Sequence, residues 1–82
     1  MKQVLYFSAE WCGPCKMIKP IMQSLQSQMS ITFIDVDASA ETAKTWSVRN
    51  IPTVLVIQKG MVLGRLAGNA ITKEAVINLY NK

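Results

Sequence analysis

The residues with the most distinctive chemistry are Cys12 and Cys15, three positions apart and the only cysteines in a chain that has no histidine. A structural zinc site draws four ligands mostly from Cys and His, so this chain supplies half of one, and zinc is set aside. A purely structural cross-link is also poorly served, because closing so short a loop removes only about 2 kcal/mol of unfolded-chain entropy on the loop-closure model. What remains for a lone Cys-x-x-Cys pair is reversible thiol–disulfide chemistry. At the start of a helix, Cys12 would have its thiolate favoured by unpaired backbone N–H groups and by the helix dipole. Cys15 would follow one turn later on the same face, with Cβ atoms about 5 to 6 Å apart, close enough to bridge. Cys12 is therefore read as the nucleophile and the exposed thiol, and Cys15 as the resolving, shielded one.

That chemistry requires a strand-to-helix junction at Trp11-Cys12-Gly13-Pro14-Cys15, and the flanking pattern supplies it. Residues 3 to 8 are rich in strand-forming types, and the Cys-Gly-Pro-Cys segment breaks the strand. Ile18, Ile21, Met22, Leu25 and Met29 repeat at helical spacing, predicting a helix from the cysteines to Met29. Pro14 suits its first turn, and Pro20 should kink it. Residues 31–36 read as a second strand, parallel to the first across this crossover. A short helix is expected over 40–47 and a central strand over 53–57. Lys59-Gly60 turns the chain into a strand over 62–67. After Gly68, Thr72 caps a last helix with Glu74 in its first turn, burying Ile71, Ala75, Val76 and Leu79. The order βαβαββα predicts an α/β fold, a four-stranded mixed sheet with helices on both faces, as one domain over residues 1–82.

Composition agrees with this scale. Eighty-two residues support one core, and 50 % apolar against 17 % charged residues fits a globular chain. No unbroken apolar run exceeds the four residues of Val54 to Ile57, far from the roughly 20 of a membrane helix. The net charge of +4 comes from cations scattered singly from Lys2 to Lys82, without the clustered, aromatic-interleaved pattern of a nucleic-acid surface. Mild attraction to acidic partners is all it implies. The apolar stretch Val4 to Phe7 is too short for a signal-peptide core and no Ala-x-Ala-type site follows it, so a cytoplasmic protein is expected. Tyr6, Phe33 and Trp46 read as packing residues, and the methionines, Met17, Met22 and Met29 among them, as core filling. Glu10 and Lys16 flank the motif as solvated charges able to tune it.

The segment Ala9-Glu10-Trp11-Cys12-Gly13-Pro14-Cys15-Lys16-Met17-Ile18, with Pro20 after it, resembles the active-site segment of the thioredoxin family. The likeness extends through Arg49-Asn50-Ile51-Pro52-Thr53, similar to the family's cis-proline loop, through Lys59-Gly60, and to Gly68. It implies a thioredoxin-like fold and a dithiol–disulfide oxidoreductase that reduces disulfides of client proteins. It also implies recycling by a flavin-dependent thioredoxin reductase, with no cofactor held by the protein beyond the redox-active pair. By the same resemblance Trp11, Gly13, Pro14, Ile51, Pro52 and Gly68 line the substrate groove of a monomer.

Three departures accompany the likeness. The family's first strand and helix have no counterpart, giving glutaredoxin-like length and element order. Tyr6 stands where the family carries a buried aspartate, and Phe33 where it often carries the accompanying lysine. Tyr6 and Lys16 are thus the residues expected to modulate the pair, a phenol with an ordinary pKa near 10 being a poor base at neutral pH. Glutathione-coupled reduction is the alternative enzyme reading, although glutaredoxins typically carry Cys-Pro-Tyr-Cys. A docking module for a larger enzyme is the alternative from another class, and the intact pair argues against a passive role.

Overall fold

A computed structural model describes residues 1–82. Its strands are β1 (Lys2–Ser8), β2 (Ile31–Asp35), β3 (Thr53–Gln58) and β4 (Met61–Ala67), and its helices are α1 (Gly13–Leu25), α2 (Ala40–Thr45) and α3 (Lys73–Tyr80). One sheet is formed in the order β2-β1-β3-β4. β1 is parallel to β2 and antiparallel to β3, and β3 is antiparallel to β4, so the expected mixed sheet is present. Gln58 and Met61 pair across a two-residue turn in which Lys59 and Gly60 both have positive φ, 52° and 78°. That geometry matches the right-handed twist of the hairpin.

Strand alternation divides the core in two. Val4, Tyr6, Val54 and Val56 face Met22, Leu25, Met29, Val76 and Leu79, placing α1 and α3 on one side of the sheet. Leu5, Phe7, Leu55 and Ile57 face the other way onto Ile34 and Ala43, placing α2 opposite. Both faces of the two central strands are therefore covered, which is why β3 reads as a continuous apolar run.

α1 runs through Pro20 as one element but ends at Leu25 rather than at Met29. The chain tightens there: Gln26 N–H donates to Gln23 O and Gln28 N–H to Leu25 O, three residues back in each case. Met29 N–H still reaches Leu25 O at 3.1 Å, so its side chain arrives buried despite the early end. Met17, expected in the core, is 78 % exposed. It lies five residues before Met22, about 140° around the helix from the buried stripe. Met61 is likewise exposed, on edge strand β4. Ala75, expected buried, is only half-buried, while Ile71, Val76 and Leu79 are buried as expected.

Candidate functional site

The site sits where β1 runs into α1, at the carboxyl end of the parallel pair β1 and β2, the end where open α/β sheets gather their functional loops. Cys12 is the N-cap of α1, in extended conformation, and its Sγ accepts the Cys15 backbone N–H at 3.2 Å. Gly13 and Pro14 form the first exposed turn of the helix, where Pro14 costs no hydrogen bond. Cys12 and Cys15 are joined as a disulfide, with Cα atoms 5.3 Å apart. The same N–H that meets Cys12 Sγ is placed to hold a thiolate there once the pair is reduced.

The expected contrast between an exposed Cys12 and a shielded Cys15 does not hold in this disulfide state. Cys12 is 4 % exposed and Cys15 3 %. The Cys12 sulfur is turned into the helix end, and Ala9, Val36 and Ile51 pack around the pair. The exposed large apolar side chain of the motif is that of Trp11, 69 % accessible, whose Nε1–H donates to Asp37 Oδ2 at 2.8 Å.

Ile51 packs against the cysteine cluster, and Pro52, joined to it by a cis peptide bond, is buried. Gly68 donates its N–H to Pro52 O at 3.0 Å and has φ +56°, a left-handed conformation available to glycine at little cost. The structure thus sets Ile51 against the pair, with Pro52 joined to it and Gly68 tied to Pro52, while Trp11, Gly13 and Pro14 flank the cysteines along the chain.

Tyr6 is completely buried beneath the pair, donating its O–H to Cys15 O at 3.0 Å. Its ring stands edge-on to Phe33, with centroids 5.6 Å apart. Burial pushes its pKa up, partly offset by the nearby Ser8 side chain, so the phenol keeps its proton at neutral pH. Lys16 is exposed, and with Ser8, Glu10, Lys19 and Asp35 it borders an open cavity of about 500 Å³ that Cys15 also lines. No group of three or more His, Cys, Asp or Glu side chains is gathered to hold a metal ion.

The sequence reading missed Val36 and Asp37. Val36 N–H donates to Ser8 O, and the turn after it is held by Asp35 Oδ1 accepting from Asp37 N–H at 2.8 Å. Both residues follow a strand laid parallel to the one that delivers the cysteines, and that topological neighbourhood was the available signal.

The thioredoxin family profile matches residues 1–82. This chain belongs to the thioredoxin family. It is 45 % identical over 80 residues to the thioredoxin of Bacillus subtilis, covering 93 % of this chain and 76 % of that protein. A bifunctional thioredoxin reductase/thioredoxin of Mycobacterium leprae is 38 % identical over 66 residues, covering 76 % of this chain and 14 % of that protein. Among solved structures, a mutant thioredoxin from Halobacterium salinarum superimposes with a TM-score of 0.88 at 29 % identity, over 98 % of this chain and 72 % of that one. The family and the bonded pair together make the protein a thiol–disulfide oxidoreductase acting through Cys12 and Cys15.

Proposed function

We propose that this thioredoxin-family chain, acting as a single-domain monomer in the cytoplasm, reduces disulfides of client proteins, with Cys12 as nucleophile and Cys15 as resolving thiol. The observation that carries the assignment is Cys12 at the N-cap of α1 with its sulfur on the Cys15 N–H, a position that favours a thiolate. The Cys12 thiolate attacks one client sulfur, the client S–S bond breaks, and the other client sulfur leaves as a thiolate that takes up a proton. Cys15 then loses its proton and attacks Cys12, releasing the second client thiol. Two electrons have passed to the client, and the Cys12–Cys15 bond has formed.

The exposed Trp11 face, Gly13 and Pro14 on one side, with Ile51, Pro52 and Gly68 on the other, provide the groove for the client chain. Tyr6 is not the base for Cys15, since its own proton is held toward Cys15 O and burial raises its pKa. The cavity bordered by Lys16 and Asp35 lets water approach Cys15 instead, and Lys16 tunes the field there. Electrons return from a flavin-dependent thioredoxin reductase, a coupling supported by the relative whose name joins the two activities in one chain. A reducing role also fits the cytoplasm, where thiols are kept reduced.

The test is insulin reduction driven by NADPH, with either thioredoxin reductase or the glutathione system as electron source. Turnover with the first, slow or absent turnover with the second, and none in Cys12→Ser are expected. Faster turnover with glutathione would overturn the recycling assignment, and activity of Cys12→Ser the nucleophile assignment.

A further inference from the structure

A second cavity, of about 310 Å³, is lined by α2 and the segments around it, and is separated from the disulfide cluster by Val36. Val36 is the shared wall: it packs on the Ala9, Cys12 and Cys15 cluster and also lines this cavity. Ala43 and Val48 complete an apolar floor, and Lys44 and Arg49 bring two cations to a lining that contains no carboxylate. Asp37 accepts the Trp11 indole N–H, and Glu41, one turn before Lys44 on α2, is not part of the lining.

The loop carrying Arg49 is held in a fixed shape. Ser47 has φ 57°, a conformation that residues other than glycine seldom adopt. Arg65, reaching across from β4, donates to Trp46 O at 3.2 Å and Ser47 O at 3.5 Å. Val48 N–H donates to Ala43 O at 2.8 Å, closing the loop back onto α2. Arg49 then precedes Ile51, which packs on the cysteine cluster, by two residues. The loop that presents Arg49 therefore runs directly into Ile51 beside the disulfide, and the Val48 N–H bond to Ala43 O ties it to α2, which carries Lys44.

We infer that this cavity selects clients by charge, taking the carboxylate of an Asp or Glu set close to the client's disulfide cysteine. The inference rests on the disulfide-reductase reading above and deepens it. Cations at the rim of a groove act mainly on encounter and orientation, so their effect is graded and salt-dependent. Val36 and Val48 supply contact for the apolar stem of the acidic side chain.

The test uses three otherwise identical disulfide peptides carrying Glu, Gln or Lys beside the cysteine. Each is reduced by the wild-type protein and by a Lys44→Glu/Arg49→Glu double variant. The readout is the ratio of kcat/KM for the Glu peptide to that for the Lys peptide, in which any general loss of activity or folding cancels. The wild type is expected to favour the Glu peptide about three- to tenfold at low salt. At about 1 M salt, where the screening length is about 3 Å, the ratio should fall to near one. The double variant should invert it at low salt. Equal rates for the charged peptides, or a preference that survives charge reversal, would overturn the inference while the reductase reading stands. Failure of the wild type to reduce the Gln peptide would overturn that reading and this inference together.

Discussion

Tyr6→Phe separates the two roles open to the phenol beneath the disulfide. The change removes one oxygen and leaves the ring against Phe33, so packing is kept and only the bond to Cys15 O is lost. A buried hydrogen bond contributes about 1 kcal/mol net, rising toward about 2 if the carbonyl is left without a partner. In a domain of this size each kcal/mol lowers Tm by about 4 to 8 °C. The pH dependence has a definite sign. Burial raises the Tyr6 pKa above its unfolded value near 10. The stability this group contributes is therefore full below pH 10 and is lost as pH rises through the folded value, because only the unfolded chain has by then released the proton. The variant has no such group, so its stability should approach that of the wild type above pH 10. In stopped-flow resolution of a mixed disulfide with a defined peptide, rates between pH 6 and 9 should match the wild type. A tenfold slowing, or a shift in the midpoint of that pH profile, would refute the argument that Tyr6 takes no part in removing the Cys15 proton. Tyr6→Asp is the harsher counterpart. It empties a fully buried ring site, at a cost of about 3 to 5 kcal/mol for the lost ring burial and the cavity together, and desolvates a carboxylate. In whatever fraction folds, that raised carboxylate is a base matched to neutral pH, and resolution should be faster.

Cys15→Ser should accumulate a client joined to Cys12 and Cys12→Ser should not, as read by intact-protein mass spectrometry; the reverse pattern would exchange their roles. Gly68→Ala should cost about 1 to 2 kcal/mol in denaturant unfolding, because φ +56° is strained for alanine although open space surrounds the new methyl. Gly64→Ala should cost about 1 to 3 kcal/mol for a different reason, its Cβ meeting Leu79 Cδ1 at 2.5 Å. Leu79→Ala should partly rescue Gly64→Ala and leave Gly68→Ala unrescued. Asp37→Ala should free the Trp11 indole, lowering its fluorescence anisotropy with a stability change below about 1 kcal/mol at this exposed site.

The chemistry of the cysteine pair was legible in the sequence because it is local. Spacing of three, a strand before it and a helical stripe after it place Cys12 at an N-cap and Cys15 one turn on, whatever the rest of the chain does. The division of the core was legible for the same reason, since Val4 and Leu5 must point to opposite faces of any strand. Ile51, Pro52 and Gly68 were reached by likeness to a family, with no local signal of their own beside the cysteines. The burial of Cys12 was misjudged, because Val36 and Ile51 arrive from other elements to cover it. Asp37, Arg65 and Gly64 carried no pattern at all. Each acts across a sequence gap, on the Trp11 indole, the loop carbonyls at Trp46 and Ser47, and the side chain of Leu79 respectively. Periodicity reports which way a side chain faces along its own element, while the partner it meets is decided by strand order and register, and these exist only once the sheet has closed around β1 and β3.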